Sequence, residues 1–114
     1  MVTFACKKIP KEDLIRCSFD LNKTSYKLLI YLLTQKKPLK ISDISEGMGL
    51  ERSSVQKALG KLFEKELVIR SQKNLEKGGY IYFYQTKNKQ EIKDRMKKII
   101  NNWYENTKKE IERL

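Results

Sequence analysis

Apolar side chains recur at helical spacing along the first half of the chain, and polar breaks separate the helices that they predict. A short helix is predicted over Lys11 to Cys17. A longer helix follows, and either Asn22 or Thr24 can cap it. This second helix ends before Pro38, because the residue that precedes a proline disfavours helical geometry. Its broad apolar face consists of Tyr26, Leu29, Ile30, Leu32 and Leu33.

Two further helices are predicted on either side of a glycine turn. Ser42 is a suitable N-cap for a short helix over Asp43 to Met48. The run Gly47-Met48-Gly49-Leu50 then predicts a tight turn. A longer helix is expected from about Arg52 to Lys65, with its apolar positions at helical spacing. These positions are Val55, Leu59, Leu62 and Phe63, with Ala58 alongside.

A β-hairpin is predicted next, because apolar and aromatic residues change to an alternating pattern. Its strands are expected at Leu67 to Gln72 and at Tyr80 to Thr86. The polar loop between them includes Gly78 and Gly79, which can adopt positive φ angles. The hairpin should therefore have a protruding tip.

Nothing interrupts a helix from Lys89 to Leu114, and one apolar seam runs along it. The spacing has a single irregular step, as in a coiled coil that contains a stutter. A helix of about 26 residues is roughly 39 Å long, which is too long to bury its seam against one small body. We therefore expect a homodimer whose interface consists of Ile92, Met96, Ile99, Trp103, Thr107, Ile111 and Leu114.

The predicted order of helix, short helix, glycine turn, helix and hairpin is that of a winged helix-turn-helix. The strings RSSVQKAL (52–59) and KLFEKELVIR (61–70) resemble the recognition helix and first wing strand of archaeal TrmB-type and MarR-like transcriptional regulators. The wing sequence EKGGY (76–80) is similar to that of short TrmB-related regulators. The resemblance implies a mainly α fold with a small β-hairpin (α+β), a long C-terminal dimerisation helix, and sequence-specific binding to double-stranded DNA.

The resemblance also divides the chain of 114 residues into three parts. We expect an N-terminal arm with a short helix over 1–19, the winged helix-turn-helix over 20–86, and the dimerisation helix over 87–114. The sugar-binding domain of long TrmB proteins is not expected, since the chain ends before one could begin. The resemblance therefore does not assign a small-molecule effector to this chain.

The chain carries 25 Lys and Arg against 14 Asp and Glu, a net charge of +11. Such an excess points to nucleic acid or an anionic surface as partner. A lysine-rich coat reflecting the source organism stays an alternative. No apolar run reaches the roughly 18–20 residues of a membrane span, and no signal peptide begins the chain. We expect no membrane partner, and a cytoplasmic, nucleoid-associated protein.

The absence of histidine and the presence of only two cysteines argue against most enzyme classes. Two cysteines cannot complete a four-ligand zinc site in one chain, so neither a metal nor another cofactor is expected. For Cys6 and Cys17, we favour free thiols with one or both buried. A disulfide between them stays an alternative.

The polar side of the helix that begins at Arg52 supplies the candidate DNA contacts. Gln56 can bind adenine bidentately, Arg52 can bind guanine, and serines can contact bases or phosphates. Lysines are better suited to phosphate contacts. Arg70 has a salt bridge as an alternative role, and the hairpin tyrosines pack across strands or stack on bases. The full predicted set is Lys40, Arg52, Ser53, Ser54, Gln56, Lys57, Lys61, Arg70, Lys73 and Lys77.

Two other functions fit the same sequence. Lysine greatly outnumbers arginine, which suits an architectural chromatin protein that binds DNA without sequence preference. A winged helix can also serve as a protein-interaction module, in which case the same face would bind an acidic protein.

Overall fold

The computed structural model describes all 114 residues, which form five helices and two antiparallel strand pairs. In chain order the elements are β1 (Val2–Phe4), β2 (Lys7–Ile9), α1 (Lys11–Phe19), α2 (Lys23–Leu33), α3 (Ile41–Met48), α4 (Arg52–Glu64), β3 (Val68–Asn74), β4 (Tyr80–Thr86) and α5 (Lys89–Glu112). The molecule measures 66 × 23 × 23 Å, and this elongation reflects the length of α5. None of the five helices combines the length and apolar composition that a membrane crossing requires.

One hydrophobic core lies among α2, α3, α4 and the base of the β3–β4 hairpin, and Phe19 of α1 and Ile92 of α5 complete it. Leu28 of α2, Ile44 of α3 and Leu62 of α4 have no exposed surface. Leu67 and Val68 extend this core to the start of β3. The helix-turn-helix of α3 and α4 and the hairpin wing are therefore held by a common core, and the predicted winged helix-turn-helix is confirmed.

The first residues of α2 and α3 are fixed in different ways. Asn22 caps α2, since its side chain accepts a 2.8 Å hydrogen bond from the Ser25 amide. The prediction of Ser42 as an N-cap is wrong, because α3 begins at Ile41, two residues before the predicted start at Asp43, and Lys40 is the N-cap residue. Extended backbone reaches Lys40, since Leu39 pairs with Tyr84 of the wing. The position of the cap is thus set by strand pairing rather than by a capping side chain.

The predicted hairpin is confirmed, and its strands pair from Val68↔Thr86 to Asn74↔Tyr80, so that β3 extends two residues beyond the predicted end at Gln72. Its tip is closed by a 3.0 Å hydrogen bond from the Leu75 amide to the Gly79 carbonyl. Gly78 and Gly79 have φ angles of 93° and 82°, which explains why glycines stand there. Leu39 exchanges hydrogen bonds of 2.9 and 2.7 Å with Tyr84, so the wing base is tied to the segment before α3.

The N-terminal arm contains a hairpin that the sequence analysis does not predict. Strands β1 and β2 pair antiparallel with Val2 opposite Ile9. Both Val2 and Phe4 are more than half exposed. Cys6 and Cys17 are free and exposed, so the expectation that one or both are buried is wrong, as is the disulfide alternative.

Helix α5 begins at Lys89, as predicted, and Asn88 caps it by accepting a 2.7 Å hydrogen bond from the Gln90 amide. The predicted seam divides into two halves. Ile92 belongs to the core, and Met96 and Ile99 pack partly against it. The second half is mostly exposed and holds Trp103, Thr107, Ile111 and Leu114. Ile92, Met96 and Ile99 of the predicted dimer interface therefore pack within one chain, and only the second half of the seam remains exposed.

Candidate nucleic-acid interface

Helix α4 presents a polar surface on the side opposite the core. Its buried residues are Val55, Ala58, Leu59 and Leu62. At about 100° per residue, Ser53, Lys57 and Gly60 lie at the centre of the opposite, exposed side. Gln56 lies on the side that faces the wing, and Arg52 precedes it by one turn on that side of the helix. The predicted base-contacting side chains thus share the solvent side of one rigid helix.

The predicted DNA-contacting side chains have no partners within the chain. None of them takes part in a side-chain hydrogen bond, and the three ion pairs all lie within α1 or α5 and its C-terminal end. Lys40 and Ser54 are half-buried and the others are exposed. Their donors and acceptors are consequently available to a ligand. This set comprises Lys40, Arg52, Ser53, Ser54, Gln56, Lys57, Lys61, Arg70, Lys73 and Lys77.

The charge along α4 is positive except at its C-terminal end. Arg52, Lys57 and Lys61 are exposed, and the first turn contains no acidic residue. Glu64 is the only acidic residue of the helix and lies in its last turn. An anionic ligand therefore meets only basic and neutral side chains along most of the helix.

The remaining predicted residues are spread along the wing and at its base. Lys73 lies near the end of β3, opposite Ile81, and Lys77 lies in the tip. Lys40 immediately precedes α3. The three lysines thus lie on different parts of the fold: before α3, in β3 and in the tip of the wing.

A cleft of about 390 Å³ separates α4 from the wing. It brings together Gln56 of α4 and Arg70 of β3, which the sequence analysis considers separately. The Arg70 guanidinium carbon lies over the Tyr82 ring at 4.2 Å and over the Phe63 ring at 5.3 Å from each centroid. Arg70 forms no ion pair, so the salt-bridge alternative is wrong.

Phe63 and Tyr82 are functional candidates that the sequence analysis assigns to packing. Phe63 is 49% exposed, although its spacing is that of a core residue. It follows Gln56 by seven residues, two helical turns, and this spacing places both on the side that faces the cleft. The seven-residue interval from Gln56 is the sequence pattern that could have predicted the exposed position of Phe63.

Two tyrosines of β4 pack against each other along the strand, and one of them, Tyr82, also packs across the hairpin against Arg70. The rings of Tyr80 and Tyr82 are 5.1 Å apart and tilted by 60°. The residues directly opposite Tyr80 and Tyr82 are Asn74 and Gln72, so the predicted cross-strand packing is made by the Tyr82–Arg70 contact and not by the directly paired residues. Tyr84 is buried in the core and is not available for base stacking.

The sequence matches the family model described as "Sugar-specific transcriptional regulator TrmB" over residues 15–90. It is similar to the uncharacterized protein MJ1503 of Methanocaldococcus jannaschii, at 36% identity over 90% of this chain and 77% of that protein. A second uncharacterized protein of that organism, MJ1082, is 34% identical over 90% of this chain and 84% of its own length.

The fold is also similar to those of solved structures. A possible transcriptional regulator from Methanosarcina mazei Go1 superposes with a TM-score of 0.92 at 33% identity, covering 99% of this chain and 95% of that chain. A point mutant of S. aureus MepR, bound to an oligodeoxyribonucleotide, superposes with a TM-score of 0.58 at 17% identity, over 85% of this chain and 70% of that chain. The second comparison shows a shared fold.

Proposed function

The chain belongs to the TrmB family of transcriptional regulators, and on that premise we propose that it binds double-stranded DNA in a sequence-specific manner, as a homodimer. The observation that supports this most is the unpartnered polar side of α4. Arg52, Gln56 and Lys57 project to solvent from one helix, where they bond to no other side chain and to no acidic residue. Their donors and acceptors can therefore exchange water for base edges and phosphates, and the helix brings basic and amide groups together on one surface.

In this proposal α4 enters the major groove, where an α-helix fits and each base pair has a distinct donor and acceptor pattern. Arg52 and Gln56 contact base edges, and Lys57 and Lys61 contact phosphates. The MepR mutant with bound oligodeoxyribonucleotide supports this only through the shared fold. The wing lysines contact the DNA backbone beside the helix.

The exposed second half of α5 supports the homodimer. Trp103 is 60% exposed and Ile111 is 61% exposed, and neither belongs to the core or packs against it. Tyr104 next to Trp103 is also more than half exposed. Burial of such apolar surface stabilises an association by about 25 cal/mol per Å² before its entropic cost. Pairing of two α5 helices gives a two-fold axis and hence a pseudo-palindromic DNA site.

Selection of bound duplexes from a random-sequence library tests the DNA function directly. Enrichment of one motif with two-fold symmetry is expected, and the doubly substituted Arg52→Ala/Lys57→Ala variant should lose the enrichment. The control variant Lys27→Ala/Lys36→Ala loses the same amount of charge, but from exposed lysines outside the interface, and should still enrich the motif. Binding without any enriched motif would favour the architectural alternative. Absence of binding at low salt would favour a protein-interaction module.

Sedimentation velocity of the Trp103→Glu variant tests the homodimer. A buried charge at the interface should convert the dimer to a monomer. The fold should survive, since Trp103 is outside the core. A point substitution is preferable to truncation after Thr86, which would remove Ile92 from the core. A wild-type monomer, or a Trp103→Glu dimer of unchanged affinity, would contradict the proposal.

A further inference from the structure

Arg70 is held in the cleft by aromatic rings rather than by a carboxylate. Its guanidinium carbon is 4.2 Å from the Tyr82 ring centroid and 5.3 Å from that of Phe63. Such contacts restrict the side chain, and arginine forms them readily because its planar guanidinium is weakly hydrated. The aromatic pair therefore orients a cation without neutralising it.

The hydrogen-bonding capacity of Arg70 is entirely unused within the chain. A guanidinium has five N–H donors, and none of them meets a side-chain or main-chain acceptor here. The donors lie in a fixed fork that matches two oxygens of a phosphate. The cleft contains no Asp or Glu among its lining residues, so nothing there repels an anion.

Gly60 lines the same cleft and has no structural reason to be glycine. A Cβ atom added at this position would meet nothing within 4 Å. Its φ angle is not in the left-handed region, since it lies within α4. Glycine in the middle of a helix lowers stability relative to alanine. The missing side chain therefore leaves open main-chain surface beside Arg70, where a ligand can approach α4 closely.

We propose that the cleft between α4 and the wing binds one phosphodiester of the DNA backbone per protomer. The Arg70 guanidinium donates two hydrogen bonds to its non-bridging oxygens, and Gly60 lets the sugar-phosphate chain approach α4. This assignment deepens the proposed function and rests on it. It makes Arg70 a phosphate contact at the base of the wing, which fixes the position of α4 relative to the bases.

Fluorescence anisotropy on the duplex enriched by the wild-type protein tests the assignment. Arg70→Ala should weaken binding about 10-fold, and Lys36→Ala, which removes the same charge elsewhere, should not. The slope of log affinity against log salt should fall by about 2 per dimer, because each lost phosphate contact changes it by about 0.9. Arg70→Lys should keep most of the slope and lose part of the affinity, since it keeps charge without the fork.

A single neutral methylphosphonate, moved along each strand, locates the phosphate. One position per half-site should weaken wild-type binding about 10-fold and leave the binding of Arg70→Ala unchanged. Equal losses for both proteins at every position would overturn the assignment to Arg70. That result would leave the proposed function intact as long as the wild-type protein selects a motif, whereas a wild-type protein that binds no duplex would overturn both.

The Gly60→Ala variant tests the second half of the proposal. We expect its melting temperature to be equal to or above that of the wild type, and its affinity for the same duplex to fall about 10-fold. Because the variant folds at least as well as the wild type, the loss of binding cannot come from unfolding. Unchanged affinity would overturn the role given to Gly60.

Discussion

The guanidinium of Arg95 donates a 2.9 Å hydrogen bond to the main-chain carbonyl of Glu66. Glu66 has a left-handed φ of 59° and lies between the end of α4 and the start of β3. The same guanidinium carbon lies over the Phe19 ring, 5.4 Å from its centroid. Arg95 therefore connects α5 to the segment between α4 and β3.

Replacement of Arg95 by alanine should lower the free energy of unfolding by about 1–2 kcal/mol, because a charged hydrogen bond and an aromatic contact are both lost. Urea titration followed by circular dichroism measures the change. Lys93→Ala is the control, since Lys93 is exposed and unpartnered on the same helix. Equal stability of the two variants would show that the Arg95 contact contributes nothing.

Two glycines of the helix-turn-helix should respond in opposite ways to the same substitution. Gly60→Ala should raise the free energy of unfolding by about 0.5–1 kcal/mol, as expected for an exposed helical position. Gly49→Ala should lower it by about 1 kcal/mol, because Gly49 has a φ of 66° at the end of α3. Neither added Cβ meets an atom within 4 Å, so backbone conformation alone separates the two. Changes of the same sign in thermal melts would contradict this account.

Ser25 is fully buried, and its hydroxyl has no hydrogen-bond partner. An unsatisfied buried hydroxyl costs about 1–3 kcal/mol, so Ser25→Ala should raise the free energy of unfolding by about 1 kcal/mol. Ser18→Ala is the matched control, because the Ser18 hydroxyl donates a 2.7 Å hydrogen bond to the Leu14 carbonyl. The control should show no gain. A loss of stability in Ser25→Ala would reveal an acceptor for that hydroxyl.

Gln56→Ala and Lys57→Ala should affect DNA binding in different ways, although the two residues are adjacent on α4. Loss of a bidentate contact to a base should relax selectivity at one position of the motif by about 1–3 kcal/mol. Loss of a phosphate contact should weaken binding to all sequences and reduce the salt slope. Competition between the enriched duplex and single-base variants distinguishes these effects. A uniform loss in Gln56→Ala would assign it to the backbone instead.

The sequence predicts those features that short-range physics decides. Helix spacing with a polar cap at Asn22 or Thr24 predicts α2, of which Asn22 is the cap, and alternation with paired glycines predicts the wing. The Ser42 cap prediction fails because pairing of Leu39 with Tyr84, 45 positions along the chain, keeps the backbone extended up to Lys40. No local pattern contains that information.

The candidate site shows the same division. The exposed side of α4 follows from its periodicity, and the side chains predicted there are exposed or half-buried. The cleft does not follow, because the contacts of Arg70 with Phe63 and Tyr82 depend on how the hairpin packs on α4. The division of the α5 seam at Ile99 likewise depends on how far the body extends along the helix.

The scarcity of ion pairs has a consequence for how the protein behaves in salt. Arg16, Lys108 and Arg113 are the only ion-paired members of a set of 25 basic side chains. The unpaired positive charges repel one another, and this repulsion destabilises the folded protein. Salt reduces the repulsion, because at 0.1 M it screens charges that are more than about 10 Å apart. Salt should therefore strengthen folding while it weakens the binding of a polyanion. Low salt should therefore be the condition in which the free protein is least stable, and a duplex that binds the folded state should raise its melting temperature most there.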